Sequence, residues 1–281
     1  MEKPDTNPAN RRDFIKSTGS VAAGGALVSQ LAFPSITMGK GTDKKLKVGL
    51  IGCGGRGTGA AAQALNADSN IELTAMADAF PEKIEKSLKV VEKNTKEGSL
   101  KVNVKESRKF VGLDSYEKVL DSGVDVVILT TPPGFRPMHL VKAVEAGKHV
   151  FTEKPMATDV PGVNLVRKSV EISKKKNLAM VAGFCWRYDW ARKALFERIA
   201  DGQIGEVRSA LGTYLVGPVK PMPEAKTRPE GITDLEWMVR NWYNFNWLSG
   251  DGLVEQAVHT VDWVAWLMGD RPPAFATAVG G

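Results

Sequence analysis

A six-residue segment, Gly-Cys-Gly-Gly-Arg-Gly, carries the spacing G-x-G-x-x-G. It directly follows the apolar run Val48–Ile51, which predicts a buried strand, and it opens a small-residue stretch that predicts a helix. In this context the first glycine permits a tight turn, the second lets backbone approach a pyrophosphate, and the last allows close helix–strand packing. A flexible turn is the alternative interpretation. We assign cofactor binding to Gly52, Gly54, Gly55, Arg56 and Gly57.

Asp78 ends the next predicted strand, 21 residues after Gly57. A carboxylate there accepts hydrogen bonds from both ribose hydroxyls and repels a 2′-phosphate. Since residues 79–81 are Ala-Phe-Pro and contain no cation, the sequence predicts NAD in preference to NADP. A solvated strand end is the alternative. We assign no redox role to Cys53, because the need for a small side chain in a phosphate-binding loop explains its presence.

A second group of polar residues lies on a predicted helix, Leu253–Met268. Glu255, His259 and Asp262 stand at i, i+4 and i+7, so they share one face, and the other faces are apolar. A polar stripe on an apolar helix is usually its solvent side. Residues 252–268 contain no Lys or Arg, however, which favours a stripe that lines a cavity.

The elements that must position these groups alternate along the chain. The predicted strands are 48–51, 71–77, 125–130, 149–152 and 178–184, and the predicted helices between them are 58–66, 138–146 and 164–176. Strands alternating with helices imply parallel βαβ units. The fold class predicted for this part is therefore α/β, with a doubly wound parallel Rossmann sheet.

Composition changes near residue 185. All seven tryptophans lie between Trp186 and Trp266, and four prolines between Pro218 and Pro229 indicate a long loop. We therefore predict a dinucleotide-binding domain over 44–185 and the start of a second domain over 186–281. Because the chain stops at Gly281 without a terminating element, we expect that second domain to be incomplete.

The first 43 residues are interpreted as an export signal and linker, excluded from the fold. Arg11 and Arg12 are followed by Phe14, Ile15 and Lys16, and then by a weakly apolar stretch rich in Gly and Ala. This pattern resembles a twin-arginine signal, whose pathway exports folded proteins, often with cofactor bound. The alternative is an amphipathic tail with a chance arginine pair. We predict a periplasmic protein, with signal cleavage or retention as an anchor left open.

Composition excludes several classes of protein. The chain is 43% hydrophobic and 25% charged, unlike disordered or fibrous proteins. Of the net charge of +6, the first 47 residues supply +4 (eight Lys and Arg against four Asp and Glu), so no nucleic-acid groove is predicted. No apolar run reaches the ~18 residues of a membrane-spanning helix. Two cysteines exclude a disulfide scaffold, and the three histidines lack metal-binding spacing.

Four further segments resemble the glucose–fructose oxidoreductase/inositol dehydrogenase (Gfo/Idh/MocA) family. They are Thr130-Thr131-Pro132, His139, residues 146–150 (Ala-Gly-Lys-His-Val) and Glu153-Lys154-Pro155. The resemblance runs from Leu46 to about Asp270. It implies a Rossmann domain followed by an α/β domain with an open, mostly antiparallel sheet, and action on sugars, cyclitols or related compounds with NAD or NADP. We expect a carbohydrate-like substrate and a homo-oligomer.

The resemblance also implies roles for single residues. Lys154 would hydrogen-bond the reacting hydroxyl beside the nicotinamide, where a partly desolvated ammonium can stabilise a developing alkoxide. The alternative is a surface lysine paired with Glu153. Thr130, Thr131 and Pro132 would line the nicotinamide-ribose side, with Glu153 nearby.

His259 would be the general base, a role that suits an imidazole because its pKa lies near neutrality. Glu255 stands where many members carry Asp, and would orient the imidazole or contact substrate. Arg187 would adjoin cofactor and substrate. The aromatic residues Trp237, Trp242, Tyr243 and Trp247 suit packing against sugar rings, or equally a core or a subunit interface. His139 and His149 are interpreted as structural.

Export would place the enzyme where free NAD is scarce. We therefore expect a cofactor that is retained and restored within each cycle, either by hydride transfer to a second acceptor or by the transient oxidation used by NAD-dependent glycosidases. The sequence also leaves open a cytoplasmic polyol dehydrogenase and a non-catalytic nucleotide- or sugar-binding protein. The presence of both Lys154 and His259 argues against a non-catalytic protein.

Overall fold

A computed structural model of the chain describes residues 45–96, 101–217 and 219–279. The predicted export signal therefore lies outside the described residues. Six parallel strands form one sheet in the order β3-β2-β1-β4-β5-β6. The strands are β1 (Leu46–Ile51), β2 (Ile71–Asp78), β3 (Lys109–Val111), β4 (Val126–Leu129), β5 (His149–Thr152) and β6 (Met180–Ala182). This order is the doubly wound Rossmann topology, so the predicted fold class is confirmed.

Helices connect and follow the strands. The α-helices are α1 (Gly55–Ala67), α2 (Pro81–Asn94), α3 (Ser115–Asp121), α4 (Arg136–Glu145), α5 (Val160–Lys175), α6 (Trp190–Ala200), α7 (Asp234–Arg240), α8 (Asn246–Ser249) and α9 (Val258–Leu267). Short 3₁₀ turns cover Glu106–Arg108, Cys185–Tyr188, Ala225–Thr227 and Trp242–Asn244, and a π-helical turn, Leu253–Ala257, leads into α9.

Both faces of the sheet are covered, which explains why the strands read as continuous apolar runs. On one face, small residues of α1, such as Ala60 and Ala61, pack with Leu50 and Leu73 of the strands. On the other face, Val119, Leu140 and Val144 belong to the cluster that contains Val127 and Leu129. The sheet is thereby fixed from both sides, and its strand ends hold the loops that follow them.

Some element boundaries differ from those predicted. Helix α5 starts at Val160, four residues before the predicted start, because Asp159 caps it by accepting a 2.7 Å hydrogen bond from the Gly162 N–H. The last strand is shorter than 178–184, since only Met180–Ala182 pairs with β5. The elements α2, β3 and α3 were not predicted, although Pro81 at the start of α2 is a typical helix-opening residue.

Beyond β6, the described residues form helices and extended segments and contain no strand. The antiparallel sheet implied by the family resemblance and the domain boundary near residue 185 therefore stay predictions. Within the described ranges, no helix combines the length and apolar character needed to cross a membrane.

Candidate functional site

The strand order creates a crevice at the carboxyl ends of the two central strands. Strands β1 and β4 are neighbours, and their connections leave in opposite directions, so the loops after their carboxyl ends diverge and leave a gap. A cleft of about 220 Å³ lies there. Seven of the predicted cofactor-binding residues line it: Gly52, Gly54, Gly55, Asp78, Thr130, Thr131 and Pro132.

The glycine loop after β1 is held tightly against the end of β4. Gly52 has a φ of +94°, in the left-handed region that favours glycine. A Cβ on Gly57 would lie 2.1 Å from the Gly52 carbonyl oxygen, so only glycine fits. The Thr130 hydroxyl donates a 2.6 Å hydrogen bond to that same carbonyl. These contacts fix the path of the loop.

By contrast, Gly54 and Gly55 face open space, since a Cβ on either would meet no atom within 4 Å. Helix α1 begins after Gly54 without a side-chain cap and with no acidic residue in its first turn. Its first N–H groups and the positive end of its dipole are thus available to an anion. The loop therefore fits a dinucleotide pyrophosphate.

Asp78 lies at the end of the cleft where the ribose of a dinucleotide is predicted to bind. The Asp78 carboxylate accepts hydrogen bonds from the backbone N–H groups of Cys53, at 2.7 Å, and Phe80, at 3.0 Å. Burial raises the pKa of Asp78, and these two bonds oppose that rise. Burial also raises the pKa of the Cys53 thiol well above its ordinary value, which keeps the sulfur protonated and unreactive. Both observations suit a structural Cys53 and a hydroxyl-binding Asp78.

Two glycine substitutions should separate the two functions of the loop. We expect Gly57→Ala to lower the free energy of unfolding by about 2 kcal/mol, since the methyl group has no room. Gly55→Ala should leave stability nearly unchanged but weaken NAD binding, because its methyl group would project into the cleft. Urea unfolding and NADH fluorescence titration measure the two effects. Equal loss of stability in both variants would contradict the loop geometry.

Lys154 follows β5 and reaches across to the segment before α9. Its Nζ donates a 2.6 Å hydrogen bond to the Glu255 carbonyl oxygen and lies 3.4 Å from the Glu255 Oε1 atom. Burial raises the pKa of the Glu255 carboxyl, and the charge of Lys154 is the largest effect that lowers it. The side chain of Lys154 is only 13% exposed, so the alternative of a surface lysine paired with Glu153 is wrong.

Glu153 instead joins the end of β5 to the glycine loop. Its Oε1 lies 2.6 Å from the Nε of Arg56, and the residue is only 5% exposed. Room for the carboxylate exists because residue 183 is glycine, where a Cβ would come within 2.9 Å of Glu153 Cδ. Arg56 and Glu153 do not line the cleft. Their ion pair links the glycine loop to the segment after β5 that contains Lys154.

His259 lies in an aromatic cage. The ring centroids of Trp186, Phe184 and Tyr214 are 4.5, 6.3 and 6.3 Å from that of His259. Burial, and then the positive charge of Lys154, lower the pKa of His259 below its ordinary value of 6.5. A neutral imidazole at neutral pH is the form that can accept a proton.

The predicted polar stripe points inward, so the solvent-side interpretation is wrong. Glu255 and His259 are buried, whereas Leu253 and Val261 on the same segment are 54% and 55% exposed. The predicted single helix is in fact a π-helical turn followed by α9, and such turns shift the side-chain register. Glu255 sits in that turn, where its carbonyl oxygen accepts the hydrogen bond from Lys154.

Arg187 does not join the cleft. Its guanidinium lies 2.9 Å from an oxygen of Asp262 and 2.6 Å from one of Asp270, and it is absent from the residues lining the cleft. Asp262, the third residue of the predicted polar stripe, therefore holds Arg187 in place. This ion pair links the 3₁₀ turn after β6 to α9.

Two of the aromatic residues predicted as sugar platforms, Trp242 and Tyr243, have ring centroids 5.3 Å apart but line different cavities. Trp242 lines the cofactor cleft, and Trp247 packs edge-to-face on Phe135 at 5.9 Å. The Arg228 guanidinium lies 5.9 Å from the ring centroid of Trp237. Tyr243 lines a second cavity. The four residues thus do not form one binding surface.

That second cavity adjoins Glu255. Its polar lining also includes Tyr214, Tyr243, Asn244 and Gln256. The Tyr214 hydroxyl donates a 2.8 Å hydrogen bond to Gln256, which donates to the Tyr243 hydroxyl. The Asn244 amide nitrogen is buried and has no hydrogen-bond partner among the described residues. Phenols, amides and a carboxylate together suit a ligand with several hydroxyl groups.

Arg136 is a site residue that the sequence analysis missed. It is 3% exposed, and its guanidinium donates to the carbonyl oxygens of Thr131 and Pro155. It thus ties the segment after β4 to the segment after β5, next to Lys154. Burial lowers the pKa of Arg136 to about 10, with Glu255 and Glu153 opposing the change. The available signal was an arginine at the start of a helix in which most residues are apolar.

His139 is buried and also lines the cleft, so its interpretation as purely structural stays a prediction, but its burial should make the fold sensitive to acid. Its ring stacks on Tyr116 at 4.1 Å, and its Nδ1 is 3.1 Å from the Thr131 hydroxyl. Burial, and then Arg136, lower the pKa of His139 from 6.5 to about 4. The unfolded chain therefore takes up the proton first as pH falls, so stability is lost between 6.5 and about 4.

The expected loss over that window is up to about 3 kcal/mol. His139→Gln should remove this part of the pH dependence while lowering stability at neutral pH. Urea unfolding of both proteins across the window measures the effect. Identical slopes of stability against pH would contradict this role for His139.

Comparison with known proteins agrees with the Rossmann fold described above. Residues 46–184 match the profile of GFO_IDH_MocA, described as "Oxidoreductase family, NAD-binding Rossmann fold". Through this domain the chain belongs to the Gfo/Idh/MocA family. The family resemblance stated from the motifs is thereby confirmed, and the family's NAD-binding fold agrees with the predicted cofactor.

Two relatives and one solved structure indicate the range of this family. The chain is 29% identical over 160 residues to an inositol 2-dehydrogenase/D-chiro-inositol 3-dehydrogenase of Lacticaseibacillus casei, covering 57% of this chain and 42% of that protein. It is 30% identical over 188 residues to a glycosyl hydrolase family 109 protein of Shewanella pealeana, covering 61% and 39%.

The structure of the WlbA dehydrogenase from Bordetella pertussis, in complex with NADH and UDP-GlcNAcA, covers the same fold. It superposes with a TM-score of 0.55 at 24% identity, over 80% of this chain and 56% of that one. The chain therefore spans less than half of each curated relative and just over half of the solved one. At this identity the superposition shows the fold alone.

Proposed function

We propose that the protein is an NAD-dependent oxidoreductase acting on a hydroxyl group of a sugar, cyclitol or glycoside. The observation that carries this proposal is the hydrogen bond that Lys154 donates to Glu255. Lys154 lies just after the carboxyl end of β5, and Glu255 precedes His259 by four residues. This hydrogen bond brings the Lys154 ammonium close to the neutral imidazole of His259. Neither side chain lines the dinucleotide cleft itself, but β5 pairs with β4, whose following loop does.

In the proposed reaction, Lys154, His259 and Glu255 have separate roles. The glycine loop and Asp78 would hold NAD, which would supply the hydride acceptor for the carbon that carries the hydroxyl. The Lys154 ammonium stabilises the negative charge that develops on the hydroxyl oxygen. His259 takes the hydroxyl proton, and a carbonyl group forms as the C–H bond breaks. Glu255 holds the ammonium in place through its carbonyl and carboxylate oxygens.

The carbohydrate-like substrate class rests on the second cavity. Its polar lining consists of two phenols, three amides, the carboxylates of Asp251 and Glu255, and the Lys220 amine. The buried Asn244 amide nitrogen is free to donate a hydrogen bond. A compound with several hydroxyl groups satisfies such a lining, whereas an apolar compound leaves it unpaired.

We further propose that the protein is exported with its cofactor through the twin-arginine pathway and works in the periplasm. The proposal rests on Arg11 and Arg12 and the weakly apolar stretch after them. Since free NAD is scarce outside the cytoplasm, the cofactor is retained and restored in each cycle. Rapid exchange of bound cofactor with added labelled NAD would contradict retention. The expected homo-oligomer is checked by light scattering.

A second candidate is a redox-neutral glycosidase, which the similarity to the family 109 protein favours. In this reaction a sugar hydroxyl is oxidised, and the carbonyl acidifies the neighbouring C–H. A base removes that proton, the glycosidic oxygen leaves, water adds, and the hydride returns to the carbonyl. His259 can serve as a base in either reaction, so the two candidates share one site.

Incubating the purified full-length protein with cyclitols, sugars and aryl glycosides distinguishes the candidates. A substrate that leaves the bound nicotinamide reduced until an acceptor is added supports the oxidoreductase. Release of the phenol from an aryl glycoside, without net reduction, supports the glycosidase. A protein that holds NAD and turns over none of these compounds contradicts both and supports a non-catalytic binding protein.

A further inference from the structure

The stretch from α7 to α8, residues 234–249, contacts the Rossmann part of the chain at two separated places. The first lies beside the ribose end of the cleft. The Arg240 guanidinium lies 3.8 Å from the centroid of the Phe80 ring, and its Nη1 is 2.6 Å from Glu82 Oε1. Phe80 and Glu82 immediately follow Asp78, so this contact holds the stretch against the residues after β2.

The second contact lies after β4. The Gly134 N–H donates a 2.9 Å hydrogen bond to the Leu248 carbonyl oxygen, and Leu248 is fully buried. A Cβ on Gly134 would lie 2.3 Å from the Trp247 carbonyl oxygen, so the two backbones approach as closely as glycine allows. Trp247 also packs edge-to-face on Phe135 at 5.9 Å. The stretch is therefore fastened at both ends.

Between these two contacts, side chains from the C-terminal part form a wall of the cofactor cleft. Lys220, Arg240 and Trp242 line the same cavity as Asp78 and Phe80. The Lys220 Nζ donates a 3.3 Å hydrogen bond to the Arg240 carbonyl oxygen. Partial burial, and then repulsion from Lys83, lower the pKa of Lys220. The wall thus combines the indole of Trp242, the guanidinium of Arg240 and the partly buried amine of Lys220.

We propose that the dinucleotide site extends beyond the Rossmann fold, and that Lys220, Arg240 and Trp242 bind the adenosine half of the cofactor. This inference rests on the proposed use of NAD. Asp78 would hold the ribose of that half, and Lys220, Arg240 and Trp242 line the same cleft as Asp78. An indole and a guanidinium offer flat faces to a purine, and an amine attracts phosphate.

The arrangement also ties cofactor release to one ion pair. Arg240 lines the cleft together with Asp78, and its guanidinium is held by Glu82 at 2.6 Å and by Glu236 at 2.8 Å. For the adenosine half to leave past Arg240, the contact of Arg240 with Phe80 and Glu82 must open. The proposal therefore predicts that weakening this contact speeds release of the cofactor.

The test compares Arg240→Ala with Arg228→Ala. Arg228 pairs with Asp234 at 2.7 Å and lies over Trp237, but does not line the cleft, so it is a matched control. We expect Arg240→Ala to speed NADH release about tenfold and to weaken ADP binding by a similar factor. Arg228→Ala should change neither. Stopped-flow fluorescence and ADP titration measure the two quantities.

Glu82→Gln serves as a second variant, because it loosens the ion pair while keeping the side-chain shape. It should speed NADH release to a smaller extent, and its result decides the matter if Arg240→Ala does not fold. Release rates that match wild type in the folded variants overturn this inference alone. A wild-type protein that binds neither NADH nor ADP overturns the proposed function instead.

Discussion

Replacing Lys154 by alanine is expected to lower turnover about 10³-fold while the protein still binds NAD. Lys154 contacts Glu255 rather than the glycine loop, so removing its ammonium leaves the cofactor cleft intact. The loss falls on the transition state, where the developing alkoxide needs a cation. Turnover of a sugar or cyclitol substrate and NADH fluorescence titration measure the two quantities.

Lys148→Ala is the matched control for this variant. Lys148 immediately precedes β5, and its Nζ donates a 2.9 Å hydrogen bond to the Val124 carbonyl oxygen at the amino end of the sheet. Its loss should change turnover little. Unchanged turnover in Lys154→Ala, or equal losses in the two variants, would end the assignment of Lys154 to the reacting hydroxyl.

Replacing His259 by asparagine should lower turnover by about 10²- to 10³-fold, since asparagine cannot accept the proton. In the wild type the active form of His259 is the neutral imidazole. Because burial and Lys154 lower its pKa below 6.5, activity should persist below that pH and fall only as pH drops through the lowered pKa. The pH profile of kcat/KM measures this acid limb.

Two further variants sharpen the assignment of His259. Trp186→Gln opens the aromatic cage at its closest ring, so the pKa of His259 should rise and the acid limb should move to higher pH. His149→Asn is the control, since the His149 ring accepts a hydrogen bond from the Ala179 N–H at the far end of β5. An acid limb that moves in the His149 variant but not in the Trp186 variant would contradict the role of His259.

The parts of the fold that depend on local sequence could be predicted. The strand–glycine–helix segment at Gly52 and the carboxylate at Asp78 have fixed spacing, and the structure brings both to one cleft. The inward position of Glu255 and His259 could be predicted because no cation interrupts their helix. These features depend on neighbours within one or two elements.

The features that sequence analysis missed depend on contacts between distant segments. Arg240 and Glu82 are 158 residues apart, and neither has a local pattern that distinguishes it from a surface charge. Arg136 is buried only because the segments after β4 and β5 both turn their carbonyl oxygens towards it. Arg187 was predicted to adjoin cofactor and substrate, but it pairs with Asp262 of α9 and with Asp270 after that helix.

Identifying the nucleotide that the purified protein carries tests the central claim most directly. The full-length gene product is purified from the periplasm, dialysed extensively and denatured, and the released nucleotide is identified by mass spectrometry. We predict NAD in near-stoichiometric amount, retained until the protein unfolds. A protein that is recovered empty, and that binds neither NAD nor NADH when they are added, would contradict the account.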